Sequence, residues 1–302
     1  SDSYNHFIVR PMLSILIALS SLFIKDFWLS FALVSAACWL LSVYIVYKFT
    51  LDLLQGLDEQ AFYATFFFTS SLVMIRMGCS LQDFSIMYFF IALTFYLSLK
   101  LIKQPSIRNL IVTSLAIGLG ILSKEGVLVV LSFLTLYLFV VKRDLKLAVT
   151  VTIASLLLPA LWYLYVGYTP LTIFFERVGS RGYQVSWGFK QLLKSIYGAF
   201  LLGLPLALLG ILEETNRDGF LMLATYAVVC ISTLLIWPVM VADVSFILFP
   251  AIVTYVPLGL SYVSLRLKSL MGLNEKFWIT LVLLTQLLYS NFSALAWLRL
   301  PF

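Results

Sequence analysis

Lys124 and Glu125 stand side by side in GLGILSKEGVLVVL, with about fifteen largely apolar residues on either side of them. An ammonium and a carboxylate are each costly at membrane depth, so a chain this apolar keeps both only for a use. They fall where a membrane-crossing hairpin would turn. An ammonium at that boundary is a point-charge partner for a phosphate. Gly118, Gly120 and Gly126 would leave room for a lipid head group to approach the backbone. The structural alternative is a self-contained pair in which Glu125 neutralises Lys124.

Other isolated charges share that setting. Arg76 and Asp83 flank a tight turn in IRMGCSLQDF, Arg10 precedes a proline-led apolar run, and Asp2 and Asp243 stand alone. The one long connection, 167–190, mixes glycines and aromatics with Arg177 and Arg181, four apart and on one face if that segment is helical. Such a loop suits sugar binding, where ring faces stack on aromatics, or it is an interfacial amphipathic helix with snorkelling cations.

These residues need a scaffold, and composition decides its class. The chain is 62% hydrophobic and 11% charged over 302 residues, which excludes a globular domain with a solvated surface and predicts an all-α, polytopic transmembrane bundle. Apolar runs predict helices near 27–47, 60–75, 84–99, 109–123, 126–141, 147–166, 191–212, 219–241, 245–264 and 277–292, about ten crossings, while 11–24 is too short to span alone. No repeat or composition shift divides the chain, so 1–302 reads as a single transmembrane domain. Cys38, Cys79 and Cys230 lack metal or disulfide spacing, and with His6 the lone histidine no histidine metal site is expected. A net charge of +6, thinly spread, suits membrane lipids and anionic head groups and not nucleic acid.

Ser1 is not a start methionine, and SDSYNHFIVRP has neither the basic start nor the apolar run of a signal peptide, so a preceding segment is expected. If all ten helices cross, alternate turns receive the basic clusters at 100–108, 142–146 and 266–276, which marks that side as cytoplasmic. The opposite side then collects Asp2, Arg10, Arg76, Asp83, Lys124, Glu125, Asp243 and the loop 167–190. Cations gathered at one membrane surface are what an anionic lipid phosphate needs.

The chain resembles the integral-membrane glycosyltransferases of the GT-C fold, of the protein mannosyltransferase and aminoarabinose-transferase type. SDSYNHFIVRPMLSILIALSSLF is similar to the end of their first extracytoplasmic loop and its juxtamembrane helix. VYKFTLDLLQGLDEQAFYATFFFTSS resembles their cytoplasmic turn, RMGCSLQDFSIMYFFIALTFYLSLKL the next helix pair with Asp83 at the acidic position, GLGILSKEGVLVVL their Gly-rich segment ending in lysine, and ILFPAIVTYVPLGL a late proline-containing helix. Where members carry Arg-Tyr before that helix, this chain has ADVSF, and Asp243 cannot do an arginine's job toward a phosphate.

The resemblance implies sugar transfer from a polyprenyl-phosphate donor to a lipid, glycan or protein acceptor at the extracytoplasmic face of a cell membrane, in a prokaryote. Asp2, or an acid upstream of Ser1, would be the base, and Asp83 would orient the acceptor or hold a cation. Arg10 and Lys124, with Arg76 in a weaker part, would contact the donor phosphate, and Glu125, Arg177 and Arg181 would line the substrate site. No redox or nucleotide cofactor is implied, and a divalent cation is compatible with the chemistry. A secondary transporter or lipid flippase also fits embedded charges, although such proteins commonly show internal repeats; a non-catalytic scaffold subunit is a third reading.

Overall fold

The computed structural model describes residues 10–79, 84–167, 189–213, 216–236 and 242–298. In chain order its helices are α1 (Pro11–Ile24), α2 (Phe27–Leu53), α3 (Asp58–Thr69), α4 (Leu72–Cys79), α5 (Phe84–Lys103), α6 (Ile107–Ser123), α7 (Leu128–Leu136) and α8 (Leu145–Val166). There follow α9 (Phe189–Phe200), α10 (Gly203–Leu212), α11 (Arg217–Ile236), α12 (Ala242–Ser245), α13 (Phe249–Met271) and α14 (Glu275–Leu298). The protein is an all-α polytopic membrane bundle. Among the described residues six helices are long and apolar enough to cross a membrane, or seven if the bent pair α9–α10 is one span.

Two compact units make up the chain: Ser1–Ser42, Leu81–Trp187 and Ile236–Pro238 in one, Val43–Ser80, Gly188–Leu235 and Val239–Phe302 in the other. Within the first, α6 packs against α1, α5 and α8. The ends of α6 and α8 follow local chemistry. Ser106 caps α6 by accepting from the Asn109 amide, Asp144 caps α8 by accepting from the Leu147 amide, and Gly167 closes α8 in the left-handed conformation. Pro159 removes the amide that would bond the Ser155 carbonyl, and that carbonyl lies 3.0 Å from where a Cβ on Gly118 would stand.

The second unit combines the long helices α11, α13 and α14 with interrupted ones. Phe68, Phe200, Phe246 and Phe249 form a buried aromatic cluster with neighbouring ring centroids 4.9–5.6 Å apart. Beside it α10 and α13 touch backbone to backbone. A Cβ on Gly210 would overlap the Tyr255 carbonyl, and one on Gly259 the Leu206 carbonyl. Lipid tails supply no hydrophobic force between helices, so close approach at small residues is how such a pair gains attraction.

Two predicted helices are not continuous. The segment predicted at 60–75 breaks at Ser70 and Ser71, where the Ser71 hydroxyl donates to the Phe68 carbonyl and accepts from the Met74 amide. That serine ends one helix and caps the next. The segment at 191–212 bends by 99° between α9 and α10. Pro205 is the cause: it offers no amide to Leu201, four residues back, and its ring clashes with that carbonyl in a continuous helix. Leu201 takes a left-handed φ of 51° at the break.

Candidate functional site

The first unit builds a charged group at the turn between α6 and α7. Lys124 leaves α6 with extended backbone (φ −164°, ψ 136°), and a single 3-10 turn, Glu125–Val127, leads into α7. Arg10, one residue before α1, reaches that turn. Its Nη2 donates to Glu125 Oε1 at 2.6 Å and its Nε to Oε2 at 3.1 Å, the fork-on-carboxylate geometry of a strong ion pair. The Arg10 side chain is 10% exposed and that of Glu125 20%. Burial works against the Glu125 charge, but Arg10, by its charge and its hydrogen bonds, outweighs it with help from the turn's own backbone amide and from Lys124, and holds the carboxyl below its usual range.

Lys124 is also buried, and its Nζ lies 3.2 Å from the centroid of the Phe84 ring. A desolvated ammonium over an aromatic face is a held cation. The self-contained Lys124–Glu125 pair therefore gives way to a different arrangement, in which Glu125 is gripped from α1 and Lys124 rests on α5. The glycines also have another use than the expected one. A Cβ on Gly120 would lie 2.8 Å from Val127 and 3.2 Å from Phe90, and one on Gly126 would meet the Met87 sulfur. They serve packing of α5 and α6 against the turn, and the space expected for a head group is filled by side chains.

A second polar group lies in the other unit. Arg76 on α4 points its Nη1 at Asp243 Oδ1 on α12, 3.4 Å away, with both side chains little exposed. Two residues beyond Asp243, the Ser245 and Ser195 hydroxyls are 2.6 Å apart and tie α12 to α9. Asp243, which the sequence left without a partner, holds an arginine in place. In the same unit Gln286 on α14 is fully buried. Its Oε1 accepts from the Leu202 amide at 3.1 Å, and its Nε2 donates to the Ser70 carbonyl at 3.4 Å and the Ser290 hydroxyl at 3.2 Å.

Of the residues singled out in the sequence, the structure brings Arg10, Lys124 and Glu125 together and sets Arg76 beside Asp243. Asp2, Asp83, Arg177 and Arg181 lie outside the described residues. Gln286 and Ser195 were missed; the available signal was a lone amide in the apolar run WITLVLLTQLLYS. Among the described residues no group of three His, Cys, Asp or Glu side chains is placed to hold a metal ion.

A family model described as dolichyl-phosphate-mannose-protein mannosyltransferase matches residues 9–166. That match takes in Arg10, Arg76, Lys124 and Glu125 and stops short of Asp243 and Gln286. A comparison with curated proteins gives no match.

Proposed function

The chain belongs to the dolichyl-phosphate-mannose-protein mannosyltransferase family, and from that membership in the GT-C-type membrane glycosyltransferases we propose that it moves a sugar from a polyprenyl-phosphate donor to a lipid, glycan or protein acceptor. The reaction takes place at the extracytoplasmic face of a prokaryotic plasma membrane, where the isolated charges gather in the sequence. The acceptor hydroxyl attacks the anomeric carbon as the bond from that carbon to the phosphate oxygen breaks. The hydroxyl proton passes to a carboxylate, which we assign to Asp2, and Asp83 orients the acceptor or holds a cation. The lipid phosphate leaves with the electron pair, its charge met by cations. Arg177 and Arg181 in the long loop add contacts to the substrate.

The observation that carries this reading is the group at the α6–α7 turn. A buried ammonium and a buried guanidinium, both within the family match, serve a membrane protein best where an anion must be held. Glu125 is then a fastening: it fixes the Arg10 fork, and with it the start of α1, beside Lys124. The test is Lys124→Met, which keeps the apolar stem and removes the charge. Release of polyprenyl phosphate from a labelled short-chain polyprenyl-phosphate mannose should fall about 10²-fold, the worth of roughly 3 kcal/mol for one charged contact in the transition state, with thermal stability unchanged. Full activity in that variant would remove Lys124 from the reaction, and no release by the unaltered protein in native membranes would remove the reading.

A further inference from the structure

We propose that Gln286 is a positioning residue for the Arg76–Asp243 pair, acting through two helix breaks that its single side chain closes. The proposal rests on the family reading in one respect only, the expectation from the sequence that Arg76 contacts the donor. The backbone accounting at the breaks supports it. At the first, the Met74 amide, which in a continuous helix would bond the Ser70 carbonyl, is taken by the Ser71 hydroxyl, and Gln286 Nε2 donates to that carbonyl instead. At the second, Leu201 N–H bonds the Tyr197 carbonyl and Leu204 N–H the Leu201 carbonyl, while Leu202 N–H donates to Gln286 Oε1. Inside a bilayer no water takes over either role, so interrupted backbone survives where protein groups complete it. Ser290, one turn along α14 and fully buried, accepts the remaining Nε2 hydrogen and fixes the orientation of the amide.

Each break is the root of an arm of the charged pair. The first sets the direction of α4, which carries Arg76 six residues past Ser70, about 9 Å along a helix axis. A tilt of about 10° at the break would shift that residue by about 1.6 Å, enough to carry a contact of 3.4 Å out of ion-pair range. The second break ends α9, and α9 holds α12 through the Ser195–Ser245 contact, two residues from Asp243. One amide thus governs where the arginine points and where its carboxylate stands. A polar side chain kept at full burial in an apolar helix is a functional candidate by default, and discontinuous membrane helices are a recurrent way to build substrate sites.

The test uses the full chain in nanodiscs. Gln286→Met keeps length and volume and removes the hydrogen bonds to both breaks, with the one to Ser290. Well below its unfolding temperature it should release polyprenyl phosphate from the labelled short-chain polyprenyl-phosphate mannose 10- to 100-fold more slowly, and Arg76→Gln should be slowed comparably. The double variant should be no slower than Arg76→Gln alone, because Gln286 acts through that arginine. Multiplied losses would mean a structural role only and would overturn the proposal. Spin labels at positions 62 and 75, on either side of the first break, give a readout independent of turnover. Their separation should change or broaden in Gln286→Met, and an unaltered distribution would overturn the proposal even if the protein transfers no sugar. Should Gln286→Met fail to fold, Gln286→Glu serves, since a protonated carboxyl both donates to Ser70 and accepts from Leu202. Its label distribution should match the unaltered protein at low pH and broaden as pH rises; a distribution independent of pH would overturn the proposal.

Discussion

The two units carry their buried charges in opposite ways. In the first, Arg10 and Glu125 meet through two short bonds at the ends of uninterrupted helices, and the ion pair itself fastens α1 to the α6–α7 turn. In the second, Arg76 and Asp243 meet at 3.4 Å on the short helix α4 and in the first turn of the long span Asp243–Met271, and neutral groups do the holding: an amide, paired serines and glycines that admit backbone contact. A pair with fork geometry makes its own scaffold. A looser pair inherits its geometry from the scaffold beneath it, and its arms stay sensitive to small tilts there.

The sharpest way to break this comparison is at the glycines of the second unit. Gly259→Leu drives a side chain into the Leu206 carbonyl, where neither backbone can give way, and should cost about 4 kcal/mol, read as a fall in unfolding temperature in detergent. An unchanged midpoint would mean that the α10–α13 contact is not what holds the second unit.

Removing one partner of each ion pair comes next. Arg10→Met takes the forked partner from a largely buried Glu125 carboxylate and leaves only the neighbouring Lys124 charge and the turn's own amide to offset it, and should cost about 3 kcal/mol, whereas Arg76→Met should cost about 1 kcal/mol, because its pair is longer and its scaffold remains. Adding Glu125→Gln to Arg10→Met should restore most of the lost stability. Equal costs for the two arginines would erase the distinction between the units.

The smallest effect is in acid. Because the Glu125 carboxyl is held below its unfolded value, its contribution is present in full above about pH 4.3 and is lost as pH falls through the lower, folded value. Acid unfolding of the unaltered protein should therefore steepen below about pH 4.3 relative to Glu125→Gln. Coincident acid curves would show that Arg10 does not stabilise the charged form.

Much of this architecture was legible because hydrophobic runs announce membrane helices whatever they pack against. The helix at Pro11–Ile24 and the turn at Lys124 follow from proline placement and from charge in an apolar run. The breaks were less visible. Ser70 and Ser71 are ordinary helix residues until a hydroxyl finds the backbone, and Pro205 lies near enough to a helix start to be tolerated. The partners of Glu125 and Asp243 lie 115 and 167 positions away in the chain, a separation no local pattern encodes. Glycines beside a charge fit both a ligand's approach and a helix's, and only the packing around them tells the two apart.

The α10–α13 contact also bears on how the protein is made. Helix α10 has ten residues, about 15 Å of rise against an apolar thickness of about 30 Å, so it is too short to halt in a membrane unaided. The backbone it must nest against, at Tyr255 and Gly259, lies about fifty residues further along, which at ordinary rates of synthesis is a wait of roughly 3 to 10 s. For that interval a bent, half-length segment stands in the insertion machinery without its mate. The second unit therefore closes late, when α13 arrives, and a ribosome stalled between the two would leave the nascent chain open to capture by membrane quality control.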